Sequence, residues 1–140
     1  MVELDPKTRT LRYVNAGHPE GYVLGVDGQI RAQLPASGPA LSIFEDASHV
    51  IAAPFRMEDG DLLLMMTDGI HEARSPTGAF FGRDRALEVV TAHREEGAAT
   101  ITEHLYDAVR EHTNLDRLDD DVTVVVLKAQ PSGSAVPAVR

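Results

Sequence analysis

Residues 60–73, Gly-Asp-Leu-Leu-Leu-Met-Met-Thr-Asp-Gly-Ile-His-Glu-Ala, constrain this chain more than any other stretch. The apolar run from Leu62 to Met66 is too short to cross a bilayer, but its length suits a fully buried strand bounded by turn residues. A strand buried on both faces needs a packed layer above and below it, which the remaining residues must supply. The run leads to Asp68, a carboxylate followed at once by Gly69, and glycine admits close approach of backbone or ligand. Such a strand end can hold a metal ion. It can equally be an ordinary Asp-Gly turn, and the stretch alone does not choose between them.

The flanking sequence reads as sheet first and helix second. Val2 and Leu4 lead through the turn Asp5-Pro6-Lys7-Thr8 to a strand at Thr10–Val14, a first hairpin. Tyr22-Val23-Leu24 and Gln29–Leu34 flank Asp27-Gly28, which predicts a second hairpin closed by a primed turn. Residues 35–46 read as loop, and His49–Met57 as a partly alternating strand with Pro54 marking an edge or bulge. Beyond Ser75-Pro76-Thr77-Gly78 the period changes. Ala86, Leu87, Val89 and Val90 predict a helix from Arg83 to about His93, closed by Gly97. Thr100 and Glu103 match a capping box for a second helix, with Ile101, Leu105, Ala108, Val109 and His112 on one face. Val122–Leu127 is apolar at nearly every position and predicts a last strand buried on both faces, while residues 130–140 read as a flexible tail. Strands and helices do not alternate strictly, so the fold class is α+β.

If the last strand lies near the first apolar run, Asp68 and the cluster Asp119-Asp120-Asp121 converge on one point. Hard cations such as Mg²⁺ or Mn²⁺ prefer that set of oxygens, although successive aspartates also form solvated turns. Charge narrows the partners. With 22 acidic against 13 basic residues the formal charge is −9, which repels a phosphate backbone and excludes nucleic acid as an expected partner. There is no cysteine, which removes disulfides, thiolate nucleophiles and zinc-thiolate sites. No membrane span or secretory signal is legible, and the cytoplasm is the expected location. The 140 residues fit one domain.

Four motifs in order carry a family resemblance: Asn15-Ala16-Gly17-His18-Pro19, Gly60-Asp61 with Thr67-Asp68-Gly69-Ile70-His71-Glu72-Ala73, Phe81-Gly82 before a helix, and Asp120-Asp121-Val122-Thr123. Over residues 2–128 the chain resembles PPM-type (protein phosphatase 2C-like) metal-dependent serine/threonine phosphatases, in the bacterial stage II sporulation protein E and sigma-factor-regulation branch. The resemblance implies part of an α-β-β-α sandwich with mainly antiparallel sheets. It also implies a pair of Mg²⁺ or Mn²⁺ ions, whose bridging water attacks phosphorus in line. Asp68 and Asp120 match metal ligands. Asp119 and Asp121 are then supporting candidates, as are Asn15, His18, Gly69 and Glu72. His18 is read as either a phosphate or leaving-group contact or a turn histidine, and Glu72 as either an orienter of metal waters or a first-turn acid.

The sequence also departs from the family pattern. The first metal motif, Gly-Asp with a second Asp and a following Asp-x-x-Gly-x-Gly, has no counterpart, and Gly60-Asp61 already occupies the turn before the buried strand. Glu20-Gly21, Ser42 and His71 also differ from the residues common in the family. Residues 1–129 therefore resemble the C-terminal portion of the domain, which alone is expected to bind metal weakly. Two functions follow. One is metal-dependent dephosphorylation of phosphoserine or phosphothreonine in a regulatory phosphoprotein, such as an anti-sigma-factor antagonist, once the missing part of the site is supplied. The other is an inactive fragment or pseudophosphatase acting as a protein-binding module. Missing strands also predict exposed sheet surface and self-association through it.

Overall fold

The computed structural model describes residues 1–115 and 121–131. Its first hairpin pairs β1 (Val2–Asp5) with β2 (Thr10–Tyr13), and Asp5 closes the turn by accepting from the Lys7 and Thr8 amides and the Thr8 hydroxyl. The second pairs β3 (Gly21–Leu24) with β4 (Ile30–Leu34). Its loop is not the primed two-residue turn that Asp27-Gly28 suggested. The Gly28 amide donates to the Gly25 carbonyl at 2.9 Å and only Gly28 of that pair has positive φ, so Val26-Asp27 occupy the turn and Gly28 follows as its left-handed residue.

β6 (Leu62–Met66) lies between β3 and β7 (Val124–Lys128) in a four-stranded antiparallel sheet of order β4-β3-β6-β7. A separate three-stranded sheet, β1-β2-β5, includes the two-residue β5 (Phe55–Arg56). The rest of 49–57 is irregular rather than the strand expected there, and Pro54, which offers no amide to a ladder, directly precedes β5. The helices are one-turn α1 (Asp68–His71), α2 (Arg83–Ala92) and α3 (Ala98–Thr113). α3 starts three residues earlier than the capping-box reading placed it. Gly97 is its N-cap and no side chain caps it, so Thr100 and Glu103 sit inside the first turns.

The double burial of β6 follows from its period-2 geometry. Leu62, Leu64 and Met66 join Ile70, Phe81, Ala86, Val90, Ile101, Leu105 and Val109 in a core between sheet and helices. Leu63 faces the other way, into a second cluster with Leu11, Val23, Leu34 and Met57 between the sheets. The order of layers is therefore helices, four-stranded sheet, three-stranded sheet, and the fold is α+β. β7 departs from the sequence reading: it is the sheet edge, mostly half-buried, with Val125 41% exposed. Exposed apolar residues concentrate less on the sheets than in the 35–54 loop, at Leu41, Ile43, Phe44, Val50 and Ile51. Among the described residues no helix is long and apolar enough to cross a membrane.

Candidate functional site

β6 delivers its chain end to the rim of the four-stranded sheet. Thr67 is extended, at φ −75° and ψ 164°, and is the N-cap of α1, so Asp68 opens a helical turn rather than a simple reverse turn. The Asp68 carboxylate is exposed, with Oδ1 accepting from the Gly69 amide at 3.1 Å. Glu72, also exposed, closes the turn by donating its amide to the Asp68 carbonyl at 2.8 Å.

Across the sheet, the residues that enter β7 lock onto this turn. The Thr67 hydroxyl donates to the Asp121 carbonyl at 3.3 Å and accepts from the Thr123 amide at 2.9 Å, while the Thr67 amide donates to the Thr123 carbonyl at 3.0 Å. Gly69 is buried against the same segment: a Cβ there would lie 2.6 Å from the Asp121 carbonyl oxygen. The structure thus brings Asp68, Gly69 and Asp121 to one sheet end, with the Asp121 carbonyl making the contact to Thr67 and lying against Gly69. Asp119 and Asp120 lie outside the described residues.

The Asn15–Pro19 loop forms another wall. Asn15 is 8% exposed, and its side chain is used up within the fold: Oδ1 accepts from the His18 amide at 2.9 Å, and Nδ2 donates to the His18 carbonyl at 3.0 Å and the Leu34 carbonyl at 3.2 Å. Asn15 therefore braces the loop that forms this wall. His18 is exposed, with Nδ1 2.8 Å from the Pro19 carbonyl oxygen. A cavity of about 400 Å³ brings Asn15, His18, Met66, Thr67 and Thr123 onto one lining, with Asp68 one residue beyond it.

His71, noted in the sequence only as a departure from the family pattern, stands three residues after Asp68. Its Nε2 is buried with no hydrogen-bond partner among the described residues. Burial is the main cause holding its pKa below the ordinary histidine value; the Arg83 and His18 charges act in the same direction, and Asp68 and Glu72 oppose them. The i,i+3 spacing from Asp68 on a helical turn is the signal that could have found it. A histidine with a depressed folded pKa binds fewer protons folded than unfolded, so stability falls as pH drops below the unfolded value of about 6.5. The unfolding midpoint is accordingly expected to fall between neutral and mildly acidic pH, and to fall less in His71→Gln. Calorimetry across that range checks this, and parallel profiles for the two proteins would remove His71 as the cause.

Asp68 is a hard oxygen donor, open to solvent and able to share an ion with water, which suits Mg²⁺ or Mn²⁺. Among the described residues, no set of three histidine or carboxylate groups converges around it. The described residues therefore fit one edge of a divalent-ion site and not a complete binuclear cage.

The family model described as stage II sporulation protein E (SpoIIE) matches residues 1–130. Protein IcfG of Synechocystis sp. (strain PCC 6803) is 37% identical over 90 residues, covering 64% of this chain and 14% of that protein. Phosphoserine phosphatase RsbU of Bacillus subtilis is 27% identical over 116 residues, covering 83% of this chain and 34% of that protein. The chain thus spans about a third or less of the length of these relatives. Among solved structures, the SiaA-PP2C domain of Pseudomonas aeruginosa matches with a TM-score of 0.74 at 19% identity, over 91% of this chain and 49% of that one, a likeness of fold.

Proposed function

Because the chain belongs to the stage II sporulation protein E (SpoIIE) family, we propose that it supplies the Asp68 side of a phosphatase site. That site hydrolyses phosphoserine or phosphothreonine on a regulatory protein, such as an anti-sigma-factor antagonist. The observation that carries this reading is the hydrogen-bonded junction of Thr67-Asp68-Gly69 with Asp121-Val122-Thr123, two family motifs held at one sheet end. RsbU, a relative named as a phosphoserine phosphatase, supports the substrate class.

Each residue has a task that follows from its position. Asp68 offers carboxylate oxygens for Mg²⁺ or Mn²⁺, with Asp120 as a second ligand by family pattern. Bound there, such ions supply the positive charge and water activation that phosphoester hydrolysis needs. That charge matters in a chain of net charge −9, because a dianionic phosphate approaches it only where the field is offset. Thr67 keeps the two motif backbones in register, and Gly69 leaves room for the Asp121 carbonyl. His18, which lines the cavity, is assigned in this reading to contact phosphate or a leaving oxygen.

A second reading, a non-catalytic module that binds a protein partner, is favoured by the absence of a three-group cluster around Asp68 among the described residues. Hydrolysis of p-nitrophenyl phosphate with Mn²⁺ separates the two. The 140-residue chain alone is expected to show little turnover. A version extended to include the family's first metal motif is expected to be active, and to lose at least about a hundredfold in Asp68→Asn, as removal of a metal ligand should. Undiminished activity in the extended Asp68→Asn protein would sink the assignment of Asp68. Asp68-dependent turnover by the chain alone would instead overturn its incompleteness.

A further inference from the structure

At the far end of the same sheet, α2 and α3 meet in a tight corner that brings together two imidazoles and a carboxylate. His93 is the C-cap of α2, and the Glu96 amide donates back to the His93 carbonyl at 2.9 Å, so residues 93–96 form a closed turn. The side chains repeat the connection, with His93 Nδ1 2.8 Å from Glu96 Oε1. From the second turn of α3, His104 places Nε2 3.1 Å from the other carboxylate oxygen, Glu96 Oε2. The two imidazole rings stack at 3.6 Å between centroids and 18° between planes, so both point ring nitrogens at one carboxylate.

We propose that His93, Glu96 and His104 form a second metal site, for a borderline divalent ion of the Zn²⁺ class. One ligand atom from each lies within 4.8 Å of the others. Tetrahedral zinc with bonds of about 2.0–2.1 Å needs its ligand atoms about 3.4 Å apart, so the His–Glu contacts at 2.8 and 3.1 Å would open slightly on binding and any wider separation in the group would close. Two imidazoles with one carboxylate are the donor set of zinc sites that leave a fourth position open, whereas Mg²⁺ keeps to oxygen. The groups are 33% (His93), 41% (Glu96) and 39% (His104) exposed, leaving that fourth position to water or to a partner's side chain.

The turn is already held in place. Lys128 Nζ donates to the Arg94 carbonyl at 2.5 Å and the Glu96 carbonyl at 2.6 Å, tying the corner to β7 through its backbone and leaving the Glu96 carboxylate to the histidines. Lys128 pairs with Leu62 and Val124 with Met66, which puts this corner at the opposite end of β6 from Asp68, about 13 Å along the strand at ordinary strand rise. The two sites are therefore distinct in place and in donor chemistry. An ion here would cross-link the α2–α3 corner.

The test is a Zn²⁺ titration of the 140-residue chain against a chromophoric chelator, in millimolar Mg²⁺ to occupy carboxylate sites. One Zn²⁺ per chain is expected. Affinity should weaken by more than about tenfold in His93→Gln and in His104→Gln, and should persist in Asp68→Asn. Because a variant can lose binding by losing its fold, Co²⁺ is also titrated into the unaltered protein. The intense visible absorption of a four-coordinate imidazole site is expected there. Absence of Zn²⁺ uptake, uptake undiminished in both histidine variants, or only the weak spectrum of octahedral Co²⁺ would overturn the proposal.

Discussion

Asp61→Ala is expected to destabilise the folded protein by about 3 kcal/mol, as removal of a buried charged hydrogen-bond acceptor does. Asp61 is 2% exposed, and its Oδ2 accepts from the Glu58 amide at 2.7 Å and from the Arg31 guanidinium. Its own backbone completes the junction: the amide donates to the Glu58 carbonyl at 3.1 Å, and the carbonyl accepts from the Ala129 amide at 2.8 Å. Without the carboxylate, the Glu58 amide loses its acceptor. Arg31, whose side chain is 28% exposed, recovers part of its loss by turning to water and to Glu58, which keeps the effect near 3 kcal/mol. Urea unfolding of the two proteins measures this, and a change within about 0.5 kcal/mol, the range of ordinary surface substitutions, would refute it. The same contacts show why Gly60-Asp61 is not a metal motif. Its carboxylate is committed to the turn that launches β6.

Gly69→Val should lower stability by a similar amount, about 3 kcal/mol, the upper range for overpacking a filled site. The sign is informative, because in an ordinary helix position a glycine-to-alanine change gains about 0.5–1 kcal/mol. Here a Cβ would meet the Asp121 carbonyl oxygen at 2.6 Å and its carbonyl carbon at 3.3 Å, and neither is the end of a flexible side chain. Relief requires the 121–123 backbone to move, which breaks the bonds through Thr67. Gly69→Ala should therefore destabilise too, and less than valine, which adds two methyl carbons. An alanine variant as stable as the parent would show that the junction is loose. In the extended protein, both changes should reduce the proposed phosphatase activity by shifting the Asp68 turn against the 121–123 backbone.

Much of this architecture was legible because it rests on local period and local turn chemistry. The two amino-terminal hairpins, the buried run at Leu62–Met66, the helix at Arg83 and the Ile101-Leu105-Val109 face each follow from spacing that one element carries within itself. The meeting of Thr67-Asp68-Gly69 with Asp121 was also foreseeable, once both strand ends were assigned to one sheet. Other features depend on tertiary neighbours. The apolar pattern of β7 resembles an interior strand, but sheet order leaves it at an edge. Thr100 and Glu103 have capping-box spacing, yet the helix begins at Ala98, where Gly97 needs no side chain to enter it. His104 and His112 lie about two turns apart on one helix, too far to share a metal, whereas the partners of His104, His93 and Glu96, come from the preceding corner, which spacing within the helix does not reveal.

The position of β6 also sets an order of events for the growing chain. One of its edges is paired by β3, which is already in place in the chain when β6 emerges, but the other waits for β7, which follows both long helices. Until residues 124–128 emerge and close that ladder, Leu62–Met66 presents unpaired amides and carbonyls on the most apolar strand of the molecule. Pairings over such sequence separations form late, because loop closure must come first. The nascent and refolding chain therefore carries an aggregation hazard that the finished sheet conceals. Refolding yield should accordingly depend on concentration and on whatever shields that edge in the interval.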